Sequence, residues 1–244
     1  MKTWRMILIS TLITFTIGGI YLFSVWKHRQ DPGVISRKDA TQTLSQDDLA
    51  VMRAYFPQHF DDLQRLEGAT VWMKNGYTMP YYAFAGGKVE FAKRMGLIPA
   101  AARLDVKKIV KAGVPSSVDD CIEHGSRQAL AVFAMPGSSG LFATPVGFMQ
   151  GNQEAYYTDV LFFYDDPHGI YDYWPKDVWA AIDAHQVKQG MSELETRMVI
   201  GQKMHPDGDK EGDRTMTYDQ DGKAWTVTYV KNAATTILKK DKSE

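Results

Sequence analysis

The sequence predicts an α+β fold in which one N-terminal helix crosses a membrane and a β-rich small barrel precedes a helix-helix-sheet domain. Three observations carry that expectation. Residues 6–26 hold no Asp, Glu, Lys or Arg. About seven short strand-like segments, separated by turn residues, run between residues 70 and 164. A proline-led helix and a capping box then come before three more strand patterns.

The apolar run covers roughly 30 Å at the helical rise, the thickness of a bilayer's hydrocarbon core. Lys2 and Arg5 precede it, Lys27, His28 and Arg29 follow, and Trp4, Tyr21 and Trp26 suit interfacial belts. A cleaved signal peptide would have a shorter apolar stretch and a small-x-small site at its end, which this run lacks. Residues 1–27 are therefore expected to form an uncleaved signal anchor, with the chain single-pass in its membrane. Lys2 and Arg5 are balanced by Lys27, Arg29, Arg37 and Lys38, so charge leaves the orientation open. Residues 28–45 read as a polar linker with a turn at Asp31-Pro32-Gly33.

Ser45 begins an S-x-x-D capping pattern. Leu49, Met52, Phe56, Phe60, Leu63 and Leu66 then recur at helical spacing, which predicts an amphipathic helical segment over 46–68, broken or restarted at Pro57. Residues 69–172 read as the barrel-like domain, with strands over 70–74, 79–84, 88–94, 103–111, 128–135, 141–148 and 155–164. In the fourth of these, Leu104, Val106, Ile109 and Val110 alternate imperfectly, so its inward face is undefined. Residues 173–240 begin with Trp174-Pro175, which starts a helix carrying Val178, Trp179, Ile182 and Val187, with Gly190 as its stop. Ser192-Glu193-Leu194-Glu195 is a full capping box, and Gly201 ends its helix. A polar loop over 202–213 leads to strands over 215–218, 224–229 and 235–238.

Composition removes several functions. With 28 Lys and Arg against 29 Asp and Glu, the net charge of −1 gives nucleic-acid binding no electrostatic support. Cys121 is the only cysteine, which excludes an intramolecular disulfide and a Cys-based zinc site. No cofactor or metal motif is present. The loop acids Asp207, Asp209, Glu211 and Asp213 lack calcium-loop spacing and read as a solvated loop. Gly137 to Gly140 lacks the Lys-Ser/Thr of a phosphate loop, His124-Gly125-Ser126 is no catalytic pair, and Arg127 is a candidate anion contact. The best chemical candidate is Asp165, Asp166 and His168: two carboxylates and an imidazole for a metal or for acid-base work, in a stretch that also reads as turn chemistry. Aromatic clusters supply the other candidate, with Tyr81, Tyr82, Tyr156 and Tyr157 as partner-binding residues or as core.

The stretch Val187-Lys188-Gln189-Gly190-Met191-Ser192-Glu193-Leu194-Glu195, continuing to Gly201 and then to three strands, resembles the SmpA/OmlA (BamE-like) αα-βββ fold over about residues 175–240. Met198 and Ile200 stand where that family has Val and Leu, and no lipobox Cys is present. Gly96-Leu97-Ile98-Pro99 resembles a turn of bacterial SH3-like barrels, over residues 69–164. The first likeness implies a non-catalytic scaffold or binding module of the bacterial cell envelope, with its soluble region periplasmic at the inner membrane. The expected function is thus a membrane-anchored, non-enzymatic module that engages a protein or cell-wall partner. Two alternatives stand beside it: an envelope enzyme using Asp165, Asp166 and His168, and a structural subunit of a membrane complex packed through Gly18-Gly19.

Overall fold

Strand pairing dominates the computed structural model, which describes residues 16, 18, 19, 21–23, 27, 45–116, 118, 127–202, 204–208, 210–220 and 223–241. The chain divides into two units, residues 1–49 and 50–244. In the first, Thr16, Gly18, Gly19, Tyr21, Leu22, Phe23 and Lys27 are helical. The remainder of residues 6–26 lies outside the described residues. Among the described residues no helix is long and apolar enough to cross a membrane. The single-pass transmembrane helix and its signal-anchor reading are corrected accordingly. Helix α1 (Gln46–Leu49) closes this unit, and its predicted cap forms. Asp48 N–H donates to Ser45 Oγ at 3.2 Å, and Ser45 N–H to Asp48 Oδ2 at 3.0 Å.

The α+β class is also corrected, because the second unit is mostly β, with two antiparallel sheets and only short helices. Its first sheet comprises β1 (Thr70–Met73), β2 (Pro80–Ala85), β3 (Lys88–Leu97), β4 (Arg103–Gly113), β5 (Arg127–Ala134), β6 (Leu141–Gln150), β7 (Gln153–Tyr156) and β8 (Phe162–Phe163). The order is β3-β2-β6-β5-β4-β1-β8, with β7 paired to β6. Central strand β5 is buried on both faces from Gln128 to Phe133, so it reads as a continuous apolar run rather than an alternation. Ala129, Ala131 and Phe133 join one core with Leu104, Val106, Ile109 and Val146. Leu130 and Val132 face the other way, toward Ala143, Phe84, Phe91 and Val110.

A bulge explains the irregular pattern of β4. Its register with β5 shifts between Val106 and Lys108, so Leu104, Val106 and Ile109 share one face despite their uneven spacing. The expected strand over 155–164 is instead divided. After β7 the chain turns through α3 (Thr158–Leu161) before pairing again as β8, which places Asp159 on a helical turn.

The helical segment expected over 46–68 is helical only at α1, at α2 (Phe60–Leu63) and at a 3-10 turn over Gln64–Leu66, with an irregular segment over 50–58 between them. Leu63 and Leu66 are buried in the first core, whereas Met52 and Phe56 are exposed. The apparent stripe was thus two unrelated sets of residues. Only the second set packs inward.

Beyond α4 (Pro167–Ile170), helix α5 (Lys176–Asp183) follows Pro175 as N-cap. It stops at Ala184, well before Gly190, through a Schellman arrangement in which His185 takes the left-handed position at φ 51°. His185 N–H donates to Ile182 O and Gln186 N–H to Ala181 O, both at 2.9 Å. Helix α6 (Glu193–Ile200) has the predicted capping box, with Glu195 N–H on Ser192 Oγ at 3.2 Å and Ser192 N–H on Glu195 Oε2 at 2.7 Å. These helices pack on the second sheet, of order β12-β11-β10-β9, formed by β9 (Met204–Asp207), β10 (Thr215–Gln220), β11 (Lys223–Val230) and β12 (Ala233–Asp241). Strand β9 comes from the expected polar loop, giving four strands where three were expected. Tyr218 and Tyr229 share a buried hydroxyl contact of 2.9 Å.

Three carboxylates are held below their ordinary range. Asp62 is lowered by the backbone N–H groups of His59 and Gln58, Asp105 by the Thr70 hydroxyl and then Arg103, and Asp213 by Lys210 and the Lys231 N–H. Their folded pKa values are depressed, so the stability they add is complete above about pH 3.9 and is lost as pH falls through the folded values. Thermal melts are expected to show a Tm that falls as pH drops below about 4, and Asp105→Asn is expected to flatten that acid limb. An acid limb that stays as steep in the variant would exclude Asp105 as a contributor.

Candidate functional site

The irregular segment over 50–58 lies as a strap along the stretch from Thr158 to Asp165. Its own backbone makes no ladder with either sheet, so other groups must satisfy it. Asp159 does so with both carboxylate oxygens. Tyr55 N–H donates to Oδ1 at 2.9 Å, and Phe56 N–H to Oδ2 at 2.8 Å. Arg53 pairs with Asp165. A hydrogen bond with the Tyr55 side chain, and after it the Asp165 charge, raise the Arg53 pKa. The Tyr55 ring meets buried Tyr164 edge-on, with centroids 4.5 Å apart. Tyr55 and Pro57 close over Thr158, Leu63 and Leu66, leaving a void of only about 10 Å³.

The strap turns outward what a core would bury. Val51 is 89% exposed, Phe56 72%, and Val160, next to Asp159, 58%. Phe56 also has φ 48°, in the left-handed region, and immediately precedes Pro57. A bulky residue is strained there, and a following proline favours extended backbone, so the conformation costs about 1–3 kcal/mol.

The predicted trio does not converge. Asp165 is engaged by Arg53. Asp166 caps α4 by accepting the His168 N–H at 2.9 Å, and its Oδ1 is also 2.8 Å from His168 Nδ1. His168 Nε2 lies 3.5 Å from Asp183, and the ring stacks on Trp179 with centroids 4.0 Å apart. The imidazole thus links α4 to α5 between two carboxylates. Among the described residues no group of three or more His, Cys, Asp or Glu is placed to hold a metal ion.

The four tyrosines do not form one surface either. Tyr82 is fully buried, packed edge-on to Phe91, and is out of a partner's reach. Tyr81 faces the opposite side of the sheet, 5.4 Å from Phe142 between centroids. Tyr156 and Tyr157 are partly buried against the first core. Burial pushes the Tyr157 phenol up to about 12, and burial followed by the Glu154 contact raises that of Tyr156. Tyr156 hydroxyl donates to Glu154 Oε2 at 2.9 Å, beside an open polar cleft of about 430 Å³ lined by Gln58, His59, Gly151, Asn152 and Glu154. Arg127 is exposed at the start of β5, and residues 137–140 form an exposed turn. Of the acidic loop, Asp207 belongs to β9, Asp213 pairs with Lys210, and Glu211 lies 3.5 Å from Arg197, while Asp209 falls outside the described residues. Cys121, His124 and Ser126 also fall outside them.

Sequence reading missed the strap because Met52 and Phe56 fitted a helical stripe. The available signal was Tyr55-Phe56-Pro57, two large aromatics held out of helix by the proline that follows. No family model matches the chain, and no solved structure matches it.

Proposed function

We propose that this chain is a non-enzymatic binding module that engages a protein partner through the outer surface of the strap. The observation carrying the proposal is the exposure of Val51, Met52 and Phe56 on the strap and of Val160 beside Asp159, whose carboxylate accepts the Tyr55 and Phe56 N–H groups. Apolar side chains fixed outward by dedicated hydrogen bonds cost solvation without serving a core, and large exposed apolar patches mark interaction sites. The bacterial cell-envelope setting belongs to the proposal too, and rests on the likeness of residues 175–240 to the BamE-like fold.

Val51→Ser with Val160→Ser removes apolar area that the fold does not use. Full-length tagged wild type and variant are compared by affinity capture with quantitative mass spectrometry. The variant is expected to retain its melting temperature and to recover its specific partner about tenfold less. Equal recovery of the same proteins by both chains would remove the strap surface as the binding site.

A further inference from the structure

We propose that the strap of one copy exchanges into the groove of a second copy of this chain, pairing two chains through the inner face of the strap. The inference goes beyond the reading above, because it engages the groove side of the strap and leaves the outer surface free. The groove consists of Asp159, Tyr164 and Asp165, and it recognises an arginine, an aromatic ring and two consecutive backbone N–H groups. Residues 103 to 112 positions apart make the hydrogen bonds and the ion pair. Local chain geometry therefore does not distinguish the resident strap from the same segment of another copy. Charge complementarity selects it: the groove offers carboxylates, and the strap brings Arg53.

The strain at Phe56 supplies the reason to exchange. In the resident arrangement an aromatic residue before proline is held at φ 48°. Rotation about φ of Phe56 leaves the peptide plane between Tyr55 and Phe56 where it is. Both N–H groups can therefore stay on an Asp159 while the chain beyond them extends and the strain is released. Strained hinge segments of this kind favour exchange between protomers.

Charge reversal separates exchange from every other contact. Full-length Arg53→Asp sets a new carboxylate against the chain's own Asp165, and Asp165→Arg sets a new guanidinium against the chain's own Arg53. When the two are mixed, exchange restores an opposite-charge pair at both sites. It also relieves the repulsion that each variant carries alone. Two differently tagged chains are co-purified, alone and mixed, across a range of concentrations. The mixed pair is expected to associate at least about tenfold more than either variant with itself, and the Arg53→Asp/Asp165→Arg double variant to behave as wild type. A mixture that associates no better than its components overturns exchange. So does dimerisation of equal strength in all four samples, which would report simple apolar pairing. Loss of partner capture by the Val51→Ser/Val160→Ser chain with no gain in the charge-reversed mixture leaves the binding surface standing and removes only the exchange.

Discussion

Replacing Glu193 with Ala is expected to cost about 3–5 kcal/mol of stability, the usual result of stripping one partner from a buried ion pair. Glu193 is 2% exposed, yet it carries a carboxylate at the first position of α6. That charge is tolerated because three elements converge on it. Arg214 donates from Nε and from a terminal nitrogen, the latter at 2.8 Å, and Gly212 N–H donates at 2.6 Å. The helix N-terminus adds its own favourable field. Asn232 Oδ1 accepts the Glu193 N–H at 3.2 Å, so the cluster ties α6 to the loop before β10 and to the turn between β11 and β12. Removing the carboxylate leaves the mostly buried Arg214 uncompensated and Gly212 N–H without an acceptor. Thermal melts should show a drop of roughly 6–20 °C for a chain of this size. Glu193→Gln keeps one acceptor oxygen and should lose less. A Glu193→Ala chain that melts within a degree or two of wild type would mean that the pair adds nothing net.

Gly201→Ala should be comparably damaging for a steric reason. Gly201 ends α6 at φ 96°, where a side chain is disfavoured, and a Cβ there would sit 2.2 Å from the carbonyl oxygen of Gly76. Gly76 is itself wedged, since its own Cβ would come within 2.2 Å of the Ala100 backbone. Three segments therefore meet backbone to backbone, from the β1–β2 connection, the β3–β4 connection and the end of α6. No flexible side chain is available to yield, so the backbone must move. Overpacking and left-handed strain, each about 1–3 kcal/mol, add to roughly 2–6 kcal/mol. Gly76→Ala should show the steric part alone. Gly169→Ala is the control, because nothing lies within 4 Å of its Cβ and it sits in α4. If Gly201→Ala and Gly169→Ala melt alike, the close approach is not a constraint on the fold.

Elements defined by contacts between near neighbours were legible in advance. The Ser192 and Ser45 caps depend on residues three apart, so the pattern and the hydrogen bonds coincide. The bounds of β1, β2 and β5 followed from β-branched and aromatic runs between turns. Where a residue's role depends on distant partners, pattern misled. Met52 and Phe56 shared a helical period with Leu63, yet they lie on a strap whose N–H groups are satisfied by Asp159. The segment at Met204–Asp207 looked like loop and became a strand because β10 was there to pair with it. Lys107, in the bulge of β4, hid a shift of face that only the register with β5 reveals.

The candidate site divides along the same line. Asp166 and His168 interact locally, as turn chemistry suggested, but Asp165 turns toward Arg53 and the tyrosines scatter between two faces of one sheet. By itself the sequence determined charge balance, caps, turns and most strand positions, because each arises from composition or from contacts a few residues apart. Tertiary structure alone decided which apolar residues face water, which carboxylate holds the strap, and which glycines touch. Those outcomes depend on groups brought together across a hundred residues, and no local period records them.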